Sequence, residues 1–492
     1  EITYGDWSSD VCSSDLTVKR WTHVLIQCLK SGLVLLDMGP FMASPSRSQT
    51  STIGKGERAR RRIGAALVAA GLGLLPAAVV KAEPTVYLAP FYANTSKLNP
   101  QGQPLGKVLA YEPTVSTVPG SKAWRIAYVS SDGADRRTVA TALIAVPTSP
   151  APAGGRRLLA WAHGTTGTAR RCGPSQIDEP AQPLNQTLLP SGTTWSDVGL
   201  PAMEPLIQKG YVIVATDYQG LGGPGDHQYA QTVSNGRDVI NALRAARDFA
   251  PAQAGEQAIV YGWSQGGGAT IGAAGQEAYA KSKDGVAPID ILGFVALAPE
   301  DIGIQMPTGI STEADAVKFV QAFSTQLGGN VMNFTHLMMF YWGLAAAEPG
   351  LNISDLLTPR GSSEINGIMQ RKCMHELSAS FNYSYGNSYK QMLKANPTNA
   401  LAWVKAIQKQ SPGLKPMAPV VIYWGNEDTA IPPVMHKMYF LAASKHGAVM
   451  SRNELPGNNT HFTTPAASQP FYLKWIDDRF NGKPLTNGCP NT

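Results

Sequence analysis

Ser264 lies in a motif whose residue types and spacing could make a serine hydroxyl reactive. Gly262-Trp263-Ser264-Gln265-Gly266 has the pattern G-x-S-x-G and stands between an apolar run and a run rich in glycine and alanine. A sharp turn from a strand into a helix needs glycine on both sides of the serine, because the backbone is crowded there. A phosphate-binding glycine turn is disfavoured, since neither G-x-G-x-x-G nor a following Gly-Lys-Ser/Thr accompanies the serine. The motif predicts a nucleophile at Ser264.

A serine nucleophile needs a histidine base and a carboxylate that orients the base, and after such a turn the chain order is serine, acid, histidine. His461 is the predicted base because it follows the last predicted strand on the polar loop that begins at Gly457. The other later histidines fall in a long insert or on the helical stretch Pro433–His446; they are His336, His375, His436 and His446. Asp428 is the predicted acid, in Gly425-Asn426-Glu427-Asp428, and Glu427 is its direct rival.

Charge that develops on a carbonyl oxygen during acyl transfer needs hydrogen-bond donors aimed at it. The N–H of Gln265 is one predicted donor, because it lies at the start of the helix. The second is expected from the loop His163-Gly164-Thr165-Thr166-Gly167 after an earlier strand. We predict that Thr165 supplies it, with Thr166 as the fallback and an ordinary glycine turn as the alternative.

The sequence predicts that alternating strands and helices position these residues. Near-continuous apolar runs of this kind mark a mostly parallel sheet that is buried on both faces. Amphipathic helices are predicted between them, notably at Asp238–Phe249 and Gly267–Lys281. The pattern predicts an α/β fold with an open, doubly wound sheet. The apolar runs are Leu158–Gly164, Tyr211–Tyr218, Ala258–Ser264, Phe294–Pro299 and Val420–Gly425. Trp124–Ser130 and Thr138–Val146 are predicted as an opening antiparallel piece, and Ser451–Leu455 as the last strand.

The alternation stops at residues 300–417, which are predicted to be mostly helical. This length predicts a cap inserted into the α/β core, which comprises residues 83–299 and 418–492. The most apolar stretch of this insert includes Met338 and Phe340. We interpret it as a wall of an acyl pocket, because methionine adapts to varied apolar shapes and ligand pockets are mostly apolar. The alternative is that it forms the small core of the cap itself.

The chain resembles the α/β-hydrolase superfamily and, within it, the secretory lipases of fungi and actinobacteria. The resemblance rests on AWAHGTTG with RCGPS, ATDYQGLGGPGDHQY, YGWSQGG, GNEDTAIP and NNTHF. It implies Ser264 as nucleophile, Asp428 as acid, His461 as base and the amides of Thr165 and Gln265 as the oxyanion hole, beneath a helical cap. Trp263 departs from the histidine that many relatives carry there, and the three glycines after Gln265 are a second departure.

The front of the chain reads as processing signals. Residues 1–37 include GDWSSDVCSSDL, which resembles translated sequencing-adapter read-through, and residues 38–82 have the order of a signal peptide. Basic residues precede the uncharged run Ile63–Val80, and a small residue, Ala82, precedes a predicted mature start at Glu83. This order predicts export from a bacterium, either secreted or periplasmic. In an oxidising compartment the three remaining cysteines predict one disulfide, for which we favour Cys172–Cys373, with Cys489 as the free thiol.

We therefore predict an exported serine ester hydrolase, a lipase or esterase, that acts on a small-molecule or lipid ester and makes transient contact with a lipid interface. No cofactor or metal is implied, and the oligomeric state is left open. Residues 83–492 hold 31 basic and 29 acidic residues, which disfavours nucleic acid as a partner. The alternatives are a peptidase or acyltransferase on the same fold, or an inactive binding protein.

Overall fold

A nine-stranded sheet organises the part of the chain that the computed structural model describes, residues 88–489. The predicted artefact at residues 1–37 and the predicted signal peptide lie outside the described residues. The spatial order is β1-β2-β3-β5-β4-β6-β7-β8-β9. The strands are β1 Val108–Thr114, β2 Ser121–Ser131, β3 Arg137–Pro147, β4 Arg156–Ala162, β5 Val212–Gln219, β6 Ala254–Trp263, β7 Asp290–Leu297, β8 Val420–Trp424 and β9 Met450–Glu454.

The sheet is antiparallel at one edge and parallel through the rest of its width. β1, β2 and β3 pair antiparallel, and β3 pairs antiparallel with β5. From β5 through β4 to β9 every neighbouring pair is parallel. The prediction of a mostly parallel, doubly wound sheet is confirmed, and all eight predicted strands are present. The additional strand β1 lies at the edge and is only partly buried, so its sequence lacks the apolar run that marks the inner strands.

Helices cover both faces of this sheet. Apolar side chains of α3 and α4 lie in one hydrophobic cluster against the sheet, and those of α2 and α12 lie in a second cluster on the opposite face. No helix within residues 88–489 is long and apolar enough to cross a bilayer. The helices are α1 Pro90–Asn94, α2 Met203–Gln208, α3 Thr232–Asp248, α4 Gln265–Ala274, α5 Glu277–Ala280, α6 Glu313–Leu327, α7 Val331–Ala347, α8 Pro359–Met369, α9 Met374–Ser380, α10 Ala400–Gln408, α11 Pro433–Lys445 and α12 Thr464–Phe480.

Two predicted helices have different bounds in the structure. α3 begins at Thr232, two turns before the predicted Asp238, because the polar residues of those turns are buried and hydrogen-bonded instead of facing solvent. The prediction of one helix over Gly267–Lys281 is wrong, since α4 ends at Ala274. At the break, a Cβ on Gly275 would lie 2.5 Å from the backbone nitrogen of Gly413, so another segment of chain passes too close for a larger residue.

Five helices, α6 to α10, lie between β7 and β8, in the segment predicted to form the cap. Their apolar side chains share a hydrophobic cluster that is separate from the two clusters against the sheet. Met338 and Phe340 are both buried within this cluster. α7 also reaches the core, because a Cβ on Gly343 would lie 2.5 Å from the backbone nitrogen of Tyr229.

A disulfide joins the segment after β4 to the start of the helix α9. Cys172 and Cys373 are bonded across a sequence separation of 201 residues, and both are buried. This confirms the predicted pairing. Within residues 88–489, Cys489 is the cysteine that has no disulfide partner. The backbone supports the same attachment, since the N–H of Met374 donates to the carbonyl of Thr166 at 2.9 Å.

Removing the disulfide should lower stability without changing the sheet. We expect Cys172→Ala together with Cys373→Ala to cost about 2–5 kcal/mol of unfolding free energy, because a bridge over a long loop restricts the unfolded chain. The measurement is the thermal midpoint under non-reducing conditions, with Cys489→Ser as the matched control that should leave it unchanged. Peptide mapping that pairs Cys489 with either of the other two cysteines would contradict the assignment.

Candidate functional site

The carboxyl ends of four parallel strands place the predicted site residues along one edge of the sheet. In the strand register Ala162 at the end of β4 is opposite Gly262 near the end of β6. Trp263 is likewise opposite Leu297, which is opposite Tyr423 in β8. β5, the next strand in the chain, lies on one side of β4 and β6 lies on the other, so the direction of strand succession reverses at β4. Ligands of open α/β sheets bind at such a reversal.

Ser264 occupies a strained position between β6 and α4. Its φ is 59° and its ψ is −121°, a backbone conformation that costs a non-glycine residue free energy. The surrounding glycines make the turn sterically possible: a Cβ on Gly266 would lie 1.9 Å from the carbonyl oxygen of Ala162, and one on Gly262 would lie 2.3 Å from that of Gly266. The turn therefore presses against the end of β4, as the G-x-S-x-G pattern predicts.

Asp428 and His461 form a buried hydrogen-bonded pair. Nδ1 of His461 lies 2.7 Å from Oδ2 of Asp428, and the Asp428 side chain is fully buried. The other carboxylate oxygen accepts the backbone N–H groups of Ala430 and Ile431 at 2.9 and 2.8 Å. Because an ionised carboxylate can only accept, Nδ1 carries the proton and Nε2 has a free lone pair. Glu427, the rival carboxylate, is exposed.

Trp263, noted in the sequence only as a departure, connects the serine turn to this pair. Its indole ring packs against the imidazole of His461, with ring centroids 4.9 Å apart. The indole N–H also donates to the backbone carbonyl of His461 at 3.1 Å. On its other side the ring meets the loop after β4, since a Cβ on Gly164 would lie 2.7 Å from the ring. The indole therefore connects His461 to the residue that precedes Ser264 in the chain.

Gln265 begins α4, so its backbone N–H is among those that have no acceptor within the helix. Two polar contacts hold its buried side chain. Nε2 of Gln265 donates to Oδ1 of Asn235 at 3.2 Å and lies 3.1 Å from Nε2 of His227. Nδ1 of His227 lies 2.8 Å from the carbonyl of Gln219, which leaves Nε2 as the acceptor. Burial lowers the pKa of His227 to about 3, so the imidazole stays neutral and this arrangement persists at ordinary pH.

Thr165 is half-buried in the loop that follows β4. Its hydroxyl lies 2.9 Å from the hydroxyl of Tyr229. The ring of Tyr229 lies 6.5 Å, between centroids, from the ring of His336 in α7. The loop after β4, the loop before α3 and the cap helix α7 therefore meet at Tyr229.

Asp197 is a second carboxylate near His461 that the sequence analysis did not single out. It is buried, and one oxygen accepts the N–H of Thr187 at 2.9 Å. Burial raises the pKa of Asp197 to about 6, while the charge of His461 acts to lower it. No sequence signal could have identified Asp197, because it lies on an irregular loop outside every motif. Tyr229 lay inside a quoted motif, ATDYQGLGGPGDHQY, but the motif assigned it no role.

The two predicted acyl-pocket residues lie on different faces of α7. An α-helix turns about 100° per residue, so Phe340, four residues after His336, shares the face that reaches Tyr229. Met338 is two residues after His336 and lies on roughly the opposite face. Within residues 88–489, no group of three His, Cys, Asp or Glu side chains is arranged to hold a metal ion.

Comparison with known sequences connects this chain to lipases. The sequence model of the secretory lipase family matches residues 188–296 and 357–488. Lipase 4 of Candida albicans is 26% identical over 298 residues, which cover 58% of this chain and 59% of that protein. The matched part thus spans less than two thirds of the length of that relative. Lipase 9 of the same fungus is 22% identical over 411 residues, covering 78% of this chain and 81% of the relative.

Solved structures agree on the fold. Candida antarctica lipase A in its closed state superposes with a TM-score of 0.60 at 16% identity, covering 83% of this chain and 90% of that one. The rice cell wall degrading esterase of Xanthomonas oryzae gives a TM-score of 0.55 at 14% identity, covering 77% of this chain and all of that one, 100%. Residues 188–296 and 357–488 are thus similar to the secretory lipase family, and the chain has the α/β-hydrolase fold.

Proposed function

We propose that this protein is an extracellular serine carboxylic ester hydrolase, with Ser264 as nucleophile, His461 as base and Asp428 as acid. The observation that carries the proposal is the strained Ser264 turn, joined through Trp263 to the buried His461–Asp428 pair. The family match supports the reaction class. The term secretory in the family description supports an extracellular location, while the fungal relatives give no support to a bacterial periplasm. The signal peptide ending at Ala82 stays a prediction.

In the proposed mechanism, Nε2 of His461 accepts the proton of the Ser264 hydroxyl as the oxygen attacks the ester carbonyl. Asp428 keeps the proton on Nδ1, so that Nε2 is the basic nitrogen, and stabilises the imidazolium that forms. The imidazolium then gives its proton to the departing alcohol. Water, deprotonated by the same nitrogen, hydrolyses the acyl-enzyme and frees Ser264.

We propose that the N–H groups of Gln265 and Thr165 bind the oxyanion. Each lies at the carboxyl end of a central strand, and β4 and β6 are direct neighbours in the sheet. The hydrogen bonds that hold the side chain of Gln265 fix the first turn of α4. Donors that are already in place need no reorganisation when the charge develops, which is why such groups lower the barrier.

Substitutions at the proposed triad should show whether Asp428 or its neighbour Glu427 is the acid. We expect Ser264→Ala to lose about 10⁶-fold in kcat, and Asp428→Asn to lose roughly 10³–10⁴-fold because the imidazole then takes the wrong tautomer. Glu427→Gln is the matched control and should keep full activity, since its side chain is exposed. The measurement is kcat on p-nitrophenyl butyrate, with circular dichroism to confirm folding. An inactive Glu427→Gln beside an active Asp428→Asn would show the acid to be Glu427.

Covalent labelling tests the reaction class directly. A fluorophosphonate probe should modify the wild-type protein at Ser264 and leave Ser264→Ala unlabelled, because the probe reacts only with an activated serine. Hydrolysis of a matched ester and anilide of the same acyl group then separates an esterase from a peptidase, and we expect the ester to react far faster. An unlabelled wild-type protein would indicate an inactive binding protein with this fold.

The acyl pocket can be tested through chain length. Each methylene that enters an apolar pocket contributes about 0.8 kcal/mol, so kcat/KM should rise several-fold per carbon until the pocket is full. We expect short-to-medium acyl p-nitrophenyl esters to be preferred over acetate. Phe340→Ala should shift this profile more than Met338→Ala, because only Phe340 shares a helix face with His336.

Thermal midpoints of both variants control for destabilisation, since both side chains are buried. A flat or acetate-peaked profile in the wild-type protein would rule out the acyl pocket. A profile that neither substitution changes would assign both residues to packing within the cap.

A further inference from the structure

Trp263 is buried at the end of β6, and its side chain reaches the loop that carries His461. The indole N–H donates to the backbone carbonyl of His461 at 3.1 Å. The indole and imidazole centroids are 4.9 Å apart, with 34° between the ring planes, a separation that is typical of offset-stacked aromatic pairs. One side chain therefore contacts both the backbone and the ring of the proposed base.

The loop that carries His461, residues 457–463, has few other attachments. Three of its first four residues are exposed, and holding such a loop in one conformation costs conformational entropy. Asn459 connects it to the loop of Asp428, since its carbonyl accepts the N–H of Glu427 at 2.9 Å. In the part of the chain that the structure describes, the bond from Trp263 is the hydrogen bond that joins residues 457–463 to the serine turn.

Asp428 and Trp263 restrain the imidazole in different ways. The hydrogen bond between Oδ2 of Asp428 and Nδ1, 2.7 Å long, fixes the tautomer and one atom of the ring, but the ring can still pivot about that atom. The indole against one face of the ring opposes this pivot, and the bond to the carbonyl restrains the backbone. Trp263 directly precedes Ser264 and is itself held by its register with Leu297 in β7. Its contacts therefore fix the imidazole relative to Ser264.

The alternative is that Trp263 is only a core residue. It belongs to the hydrophobic cluster on the face of the sheet that α2 and α12 cover. Trp161 in β4 is a tryptophan of that kind: it lies in the same cluster, is similarly buried, and its ring is 4.9 Å from that of Tyr261. Among the described residues, however, the indole N–H of Trp161 has no hydrogen-bond partner. The N–H of Trp263 is instead directed at the proposed base.

We infer that Trp263 is a positioning residue for His461, which holds Nε2 where it can serve both Ser264 and the departing alcohol. The inference rests on the proposed ester hydrolysis and adds to it a residue outside the triad. Nε2 must take a proton from one oxygen and give it to another, so it must lie within hydrogen-bond reach of both. Misplacement of a catalytic group by about 1 Å can cost on the order of 10²-fold in rate.

The test compares ethyl butyrate with p-nitrophenyl butyrate, which share an acyl group. Ethoxide needs a proton from His461 as it departs, whereas p-nitrophenolate is a stable anion that departs without one. For a reaction through an acyl-enzyme, kcat/KM covers the steps up to departure of the alcohol. The ratio of kcat/KM for the ethyl ester to that for the p-nitrophenyl ester does not depend on how much of the protein is folded. A displaced imidazole should lower this ratio.

Trp263→Phe keeps a ring against the imidazole and removes the N–H donor, so we expect the ratio to fall about three- to tenfold, the effect of losing one hydrogen bond. Trp263→Ala removes both contacts and should lower the ratio further, by up to about 10²-fold. Trp263→His introduces the residue that many relatives carry there. It keeps a ring and should lower the ratio less than Trp263→Ala. KM on each ester should change little.

Trp161→Phe and Trp161→Ala are the matched controls, because Trp161 is buried in the same cluster and its N–H makes no bond within the described residues. They should lower the thermal midpoint and leave the ratio unchanged. A ratio that falls as much in Trp161→Phe as in Trp263→Phe would overturn the inference. An equal loss on both esters would place the effect of Trp263 on Ser264 or the oxyanion donors, and a raised KM at constant ratio would make the indole a wall of the substrate site. Either result would also overturn the inference.

The proposed function is tested separately by the fluorophosphonate probe. A wild-type protein that is labelled at Ser264 and hydrolyses both esters, but whose ratio no Trp263 substitution alters, would overturn the positioning role alone. Absence of labelling together with absence of hydrolysis would overturn the proposed function, and the positioning role with it.

Discussion

The close contact between the Ser264 turn and the end of β4 is the constraint on which the rest of the site depends. No side chain fits at Gly266, where a Cβ would lie 1.9 Å from the carbonyl oxygen of Ala162. The contact holds Ser264 in a conformation that costs free energy, roughly 1–3 kcal/mol, and a rigid parallel sheet on both sides is what maintains it. The same contact brings the start of α4 beside the loop that contains Thr165, and so brings the two proposed oxyanion donors to one place.

The cap is attached to this loop as well as to the strands from which it emerges. The disulfide Cys172–Cys373 and the hydrogen bond from Met374 to Thr166 lie within a few residues of Thr165. Thr168 adds a further bond, donating its hydroxyl to the carbonyl of Met369 at 2.8 Å. The position of the proposed oxyanion loop is therefore coupled to α8 and α9, and any opening of the cap must occur away from this attachment.

Buried carboxylates near the strand ends fix the conformation of the neighbouring loops through hydrogen bonds. Asp217 near the end of β5 accepts the N–H of Ser175 at 2.9 Å and the hydroxyl of Thr141 at 2.7 Å. Burial raises the pKa of Asp217 to about 6, and these donors act to lower it. Asp238 in α3 similarly accepts the N–H of Gln219 at 2.9 Å. Such networks are costly unless fully satisfied, so they favour one arrangement of the loops that carry the site.

The sequence by itself determined the fold class and provided the candidates for the proposed triad, because the signals for both are local. Apolar runs mark buried strands wherever they pair, and the glycines around Ser264 are required by the turn itself. Asp428 and His461 were candidates for the same kind of reason, since each lies on the loop after a predicted strand, although Glu427 remained a rival of Asp428. The cysteine count and the predicted export predicted one disulfide, and the positions of Cys172 after the oxyanion loop and Cys373 in the insert favoured that pairing.

Only the tertiary structure decided which distant side chains meet. Glu427 and Asp428 are adjacent in the chain, and the fold buries one and exposes the other. Separate segments of the chain meet in the contacts of Trp263 with His461 and of Tyr229 with His336. The backbone hydrogen bond from Glu300 to Ser264 is a third such contact. No spacing in the sequence predicts which residue of a cap helix will approach the ends of the strands. The sequence did not predict the early start of α3 for the same reason. Whether a polar residue faces solvent or a buried partner depends on contacts with residues far away in the chain.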